Sequence, residues 1–175
     1  MRGVKRHLIL VGLSGAGKST VGRLVAAGLK TRVHDVDAAI ERELGISIKE
    51  IFSSRGEAEF RELEQGEIAT ALAGDPIVIV PGGGWAAQPG NLESVVGRSV
   101  TVYLEVSPET ALGRISDGAT RPLLAVADPA GKLDELFAVR RPYYEKCDHT
   151  ISTEGKTPEQ VAREVTELAL ESEGQ

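Results

Sequence analysis

Residues 12–20 read GLSGAGKST, and their types and spacing suit phosphate chemistry. Gly12, Gly17, Lys18 and Ser19 satisfy the pattern G-x-x-x-x-G-K-[ST]. Glycines let consecutive backbone N–H groups turn inward around phosphate oxygens, and the N-terminus of a following helix adds its positive end. A lysine at this place reaches the β and γ phosphates, and the Ser19 hydroxyl is a ligand for Mg²⁺. In a chain with 20 glycines among 175 residues the pattern arises by chance roughly 0.01 times. The expectation is a nucleoside triphosphate site with Mg²⁺, built on Gly15, Ala16, Gly17, Lys18, Ser19 and Thr20.

A second stretch, VHDVDAAI (33–40), puts Asp35 and Asp37 two apart after a short apolar run. Residues two apart in a strand point the same way, and two such carboxylates repel unless a positive charge lies near them. The plainer alternative is that Asp37 caps the helix that AAIEREL begins. The Mg²⁺ implied by the phosphate loop supplies the missing cation.

These residues need a frame, and the apolar pattern describes one. HLILV (7–11) predicts a buried strand, followed by a helix over 18–29 with Val21, Leu24, Val25 and Leu29 on one face. Further strands are expected at 31–36, 76–80, 99–106 and around Thr150 and Ile151. Helices are expected at 56–73, 108–115, 132–144 and 158–170, the last with Pro at its first turn. Ser47 and Glu50 have capping-box spacing. Residues 117–131 read as a loop, and the last five, ESEGQ, as a frayed end. Continuous apolar strands alternating with helices indicate a parallel sheet covered on both faces.

The composition narrows the function classes. A chain of 175 residues favours one domain. Net charge is −6, which argues against general nucleic-acid binding. Cys147 is the single cysteine, so an intramolecular disulfide is impossible and a reducing cytoplasm fits. No apolar stretch reaches the length of a membrane span. Asn91 is the only asparagine and Leu92 follows it, so the N-K-x-D element of guanine-binding switches is missing. A D-x-x-G match at 128–131 follows no strand and reads as accidental. A small kinase is the leading class.

At this point the chain resembles the shikimate kinase family over nearly its whole length. GLSGAGKSTVGRLVA is similar to that family's phosphate loop and first helix, and the D-x-D of Asp35 and Asp37 to its second-strand end. FRELE (60–64) resembles its F-R-x-x-E, GGG (82–84) its glycine triplet, TRPLLA (120–125) its lid, and VRRPYYE (139–145) its R-x-P-x-Y segment. The resemblance implies an α/β three-layer sandwich with a five-stranded parallel sheet, of the phosphate-loop kinase type. It implies a single kinase domain over 1–175, a lid at about 117–131 and a substrate-binding helical segment at about 37–64. The implied reaction is ATP-dependent phosphorylation of the shikimate 3-hydroxyl in the cytoplasm, by a monomer with no nucleic-acid or membrane partner. Alternatives are a sugar-acid kinase of the gluconate type and a module that senses ATP without turnover.

By the same resemblance Asp35 and Ser19 hold Mg²⁺, Asp37 accepts from the substrate hydroxyl, and Lys18, Asp37 and Arg121 are catalytic. Arg61, Arg140 and the N–H groups of Gly82, Gly83 and Gly84 bind the acid substrate, with Glu64 orienting Arg61. An arginine fork pairs with a carboxylate bidentately; on the residues alone, Arg61 reads rather as an exposed helix residue among acids, and the resemblance reverses that reading. Arg114 reads either as an adenine-side arginine or as a helix-surface charge, and Lys156 is a further candidate beside adenine. Three positions depart from the family. Val80 and Pro81 precede the triplet, and Trp85, the sole tryptophan, follows it, as a pocket wall or as a core ring. Phe52 and Phe60 read as pocket lining or core. His7, His34 and His149 show no metal-ligand spacing.

Overall fold

A computed structural model describes residues 4–115 and 126–174. Its centre is a parallel sheet in the order β2-β3-β1-β4-β5. The strands are β1 (His7–Val11), β2 (Val33–Asp35), β3 (Val78–Val80), β4 (Ser99–Glu105) and β5 (His149–Ser152). Every residue of β1 is buried, because β1 is the middle strand. Leu8 pairs with Val78 on one side and Val100 on the other. That double coverage explains why HLILV is apolar without alternation.

Among the described residues eight helices accompany the strands: α1 (Lys18–Gly28), α2 (Val36–Leu44), α3 (Ile48–Arg55), α4 (Glu57–Leu72), α5 (Asn91–Ser94), α6 (Pro108–Arg114), α7 (Pro129–Tyr144) and α8 (Pro158–Ser172). α1 packs on α8, α4 on α2 and α3, and α6 on α7. Strand order reverses direction at β1. The crevice beyond the strands' carboxyl ends opens at that point, as in other doubly wound sheets. Val80 packs toward α1: a Cβ on Gly22 would lie 2.7 Å from Val80 Cγ2. Gly22 therefore makes room for a branched residue on β3.

Several boundaries differ from expectation. The second strand ends at Asp35, not at Val36. Asp35 is the N-cap of α2, its side chain accepting from Ala38 N at 3.3 Å. The cap that was the plainer alternative for Asp37 is thus held by Asp35, and Asp37 sits in the first helical turn. Pro129 starts α7 three residues before the expected 132. The D-x-x-G match is its cap, Asp128 Oδ1 accepting from Gly131 N at 3.0 Å. Ser47 accepts from Glu50 N, while the reciprocal box is complete at Thr157 and Gln160 of α8. The tail is tied down as far as Glu173: Arg6 Nη2 donates to Ser172 O at 2.9 Å and Arg6 N to Glu173 Oε1 at 3.2 Å. Most of the expected lid, including Arg121, lies outside the described residues.

Candidate active site

The phosphate loop runs from the end of β1 into α1. Gly12 and Gly15 have φ of +153° and +87°. A Cβ at Gly15 would come 2.5 Å from Ala111 O on α6, and one at Gly12 would come 2.7 Å from Leu104 O on β4. Only glycine permits both the turn and this seating. Lys18 Nζ donates to Gly12 O (2.6 Å) and Leu13 O (3.0 Å), folding the ammonium over its own loop.

Ser19 Oγ donates to Asp35 Oδ2 at 2.6 Å. One carboxylate therefore caps α2 and holds the loop hydroxyl. A hydroxyl and a carboxylate in contact are hard oxygen donors, and Mg²⁺ takes one or two such protein groups together with waters and phosphates. The residues present fit that ion. Among the described residues no group of three or more His, Cys, Asp or Glu forms an all-protein metal cage.

The glycine triplet is where the other site elements meet. A Cβ on Gly82 would lie 2.7 Å from Glu64 Oε2 and 3.3 Å from Asp37 Oδ1. On Gly83 it would lie 3.2 Å from Arg140 Nη1 and 3.4 Å from Ser14 N of the phosphate loop. On Gly84 it would collide with Arg61 Nη2 and lie 2.9 Å from Arg140 Nη2. A side chain at Gly82 would crowd the Glu64 carboxylate, one at Gly84 would displace the two guanidiniums, and one at Gly83 would press on Arg140 and the phosphate loop.

Arg61 is presented by α4 and Arg140 by α7. Arg61 Nη1 donates to Glu64 Oε1 at 2.9 Å and Nη2 to Glu57 Oε1 at 3.2 Å. Its buried Nε has no hydrogen-bond partner among the described residues. Glu64 is 1% exposed, and its second oxygen accepts from Gly82 N at 3.0 Å. Burial pushes the Glu64 carboxyl above the usual range, against the opposing pull of Arg61, the Gly82 N–H and Arg140. Arg140 is buried at 7% exposure, whereas its neighbour Arg141 is exposed and pairs with Glu145 at 2.7 Å. Tyr144, one turn on, donates its hydroxyl to Gly83 O at 2.5 Å. Burial pushes that phenol up to about 12, so it stays a donor at neutral pH.

A cavity of about 400 Å³ is lined by the loop residues Ser14 to Thr20, by Asp35, Asp37, Gly82 and Gly83, and by Arg114 and Lys156; Arg61, Gly84 and Arg140 lie outside its lining. Arg114 is held by Thr153, donating to its Oγ1 at 3.1 Å and its O at 3.2 Å, and lies near Gly15 O at 3.4 Å. Lys156 pairs with Glu164 at 2.8 Å. Val80 and Pro81 are also in the wall.

Trp85 is not. Its ring is 2% exposed and belongs to the hydrophobic core, the second of the two fates its position allowed. Phe60 is likewise core, its ring centroid 4.9 Å from that of Phe52. His7 accepts from Ile77 N, His34 meets Glu67 at 3.0 Å, and His149 lies 3.5 Å from Ser172 Oγ. Sequence reasoning missed Tyr144, Thr153 and the Glu64 contact to Gly82. The first carries a signal, because a tyrosine one turn after a buried arginine points to the same side. The other two contacts span 39 and 18 residues, and no local pattern records them.

Comparison with known proteins agrees with this geometry. A family model described as shikimate kinase matches residues 14–169. The shikimate kinase of Caldanaerobacter subterraneus subsp. tengcongensis is 38% identical over 97% of this chain and 99% of its own. That of Pseudomonas syringae pv. syringae is 43% identical over 91% and 94%. Among solved structures, a shikimate kinase from Acinetobacter baumannii in complex with shikimate superposes with a TM-score of 0.91 at 34% identity, covering 97% of this chain and 96% of that one. With a match of this extent in both sequence and fold, the chain belongs to the shikimate kinase family.

Proposed function

We propose that this chain transfers the γ-phosphoryl group of ATP to the 3-hydroxyl of shikimate, a step of aromatic amino acid biosynthesis. The observation that carries the reading is the convergence of Arg61 and Arg140 on Gly84, beside a phosphate loop. Two guanidiniums in one small space suit a carboxylate bidentately, and the buried Nε of Arg61 has a donor to offer it. The triplet brings backbone close to the same acceptor.

The acceptor then lies between this arginine pair and the phosphate loop, with Asp37 on the adjoining wall. Asp37 accepts the proton of the attacking hydroxyl as its oxygen bonds to the γ-phosphorus and the bond to the ADP oxygen breaks. Lys18, released from its loop carbonyls, follows the charge on the transferring group. Asp35 and Ser19 would hold Mg²⁺, which would neutralise charge on the phosphate oxygens. Arg114, and Lys156 beside it, border the nucleotide's far end, and Arg121 is assigned to transition-state charge by the family resemblance alone. In this reading residues 1–175 form one kinase domain, with the acceptor segment at 37–64 and a lid at 117–131, working as a cytoplasmic monomer. Among the described residues no helix is long and apolar enough to cross a membrane.

An ADP-release assay with shikimate and gluconate side by side tests the reading. Saturable turnover with shikimate and none with gluconate is expected. Turnover with gluconate alone overturns the acceptor, and turnover with neither overturns the kinase.

A further inference from the structure

The turn Gly82–Trp85 is closed on itself, Trp85 N donating to Gly82 O at 3.2 Å. At its start, Gly82 N donates to Glu64 on α4. At its end, Trp85 O accepts from Asn91 Nδ2 at 2.9 Å, and Asn91 Oδ1 accepts from Gln65 Nε2 at 3.1 Å. Gln65 is the residue after Glu64. Both ends of the turn are therefore tied to the one helix that presents Arg61, the first end directly and the second through Asn91.

The chemistry of this second tie is directional. The Trp85 carbonyl can only accept, so the Asn91 amide must turn its NH₂ toward it, and its oxygen then needs a donor. Gln65 supplies that donor, which a glutamate there could not. Asn91 is 6% exposed, so the amide is anchored away from competing water. Its backbone N donates to Gln88 O at 3.2 Å, and Gln88 Nε2 donates to Gly84 O at 3.1 Å. The bond thus steadies the residue that both arginines meet.

We propose that Gln65 and Asn91 are positioning residues for the acid substrate, holding Gly84 and Trp85 in register with Arg61. Neither borders the cavity; they act through the backbone of the turn. The proposal rests on the shikimate reading above. A turn displaced by about 1 Å at a reaction centre is enough to cost up to about a hundredfold in rate, and Gly84 has no spare room on its arginine side.

The test uses Asn91→Leu and Gln65→Met, near-isosteres without the hydrogen bonds, and the double variant. For each, the KM values for shikimate and ATP, kcat and Tm are measured. The Michaelis constant for shikimate is expected to rise about tenfold in Asn91→Leu, the scale of one buried hydrogen bond removed, and by less in Gln65→Met. The constant for ATP stays within about twofold, because the phosphate loop keeps its own bonds. The double variant is no worse than Asn91→Leu, since the two bonds act in series. An unchanged constant for shikimate with a lowered Tm refutes the proposal, as does a parallel rise for both substrates. If Asn91→Leu does not fold, Gln65→Met decides alone, because it leaves the Asn91 to Trp85 bond in place. Wild-type turnover of shikimate in the same assay separates the two failures. Without it the acceptor reading falls and the proposal with it; with it, an unaltered constant sinks only the positioning role.

Discussion

Glu64→Gln separates what the buried carboxylate does for the fold from what it does for the substrate. Glu64 is 1% exposed and holds two donors, Arg61 Nη1 at 2.9 Å and Gly82 N at 3.0 Å. Glutamine keeps the shape but has one accepting oxygen. Its NH₂ must face either Arg61 or Gly82, donor against donor. A buried donor left unmade costs about 1–3 kcal/mol. Against this stands a relief: burial is the largest influence on Glu64 and pushes its carboxyl up, so the charged form opposes folding at neutral pH and a neutral isostere escapes that cost. The two effects have opposite signs. The net change in stability is expected to stay within about 1–2 kcal/mol, a Tm shift of no more than about 8 °C for a chain of this size.

The substrate side has no such offset. Arg61 loses its charge-assisted anchor, about 1.5–3 kcal/mol, and its fork no longer sits where a carboxylate arrives. The Michaelis constant for shikimate should rise roughly tenfold to a hundredfold, with that for ATP unchanged. Steady-state kinetics and a thermal melt on the same sample check both halves. A wild-type constant for shikimate, or a Tm loss above about 10 °C, refutes the reasoning. The pH dependence supplies a sign check. A carboxyl whose folded value is raised contributes its full stability below its unfolded value and loses it as pH rises through the folded value. Glu64→Gln should therefore gain on the wild type as pH climbs from the ordinary glutamate value of 4.5 toward neutrality. A gap that closes in the other direction would mean that the ion pair, and not burial, dominates.

Four further substitutions divide the remaining roles. Lys18→Ala should abolish measurable turnover while circular dichroism stays native, because the ammonium acts on phosphate charge; normal turnover would remove the kinase assignment. Asp37→Asn should lower kcat more than it weakens ATP binding. Asp35→Asn should raise the Mg²⁺ concentration needed for half-maximal rate and also cost about 1 kcal/mol of stability, the α2 cap being weakened; identical signatures for the two variants would refute the division. Arg61→Lys should raise the shikimate Michaelis constant at least tenfold, since an ammonium cannot reproduce the fork, and an unchanged constant would take Arg61 out of the site.

How much of this was legible in the chain depends on the range of the interaction. The phosphate loop was legible because its chemistry is local: glycines, lysine and hydroxyl act within nine residues, and the helix dipole follows at once. The sheet was legible because burial on both faces leaves apolar runs such as HLILV. Element ends were not, where a single side chain competes for two jobs. Asp35 and Asp37 show this. Spacing alone made either a cap or a ligand of Asp37, and it could not assign the cap to Asp35. The structure gives the cap to Asp35, and the same carboxylate still reaches Ser19 across 16 residues.

The fate of Trp85 carries the argument one step further. Its place beside the triplet made it a candidate for the pocket wall, because in sequence it is the nearest large ring to the acceptor. A turn of four residues closed by its own hydrogen bond reverses the chain, so the residue after Gly84 faces away from the arginines. The Trp85 carbonyl is tied to Asn91, while its indole stays in the core. The ring lies in the core and not in the cavity wall. It leaves the acceptor-facing surface as glycine backbone and two arginines, the surface on which the shikimate reading depends.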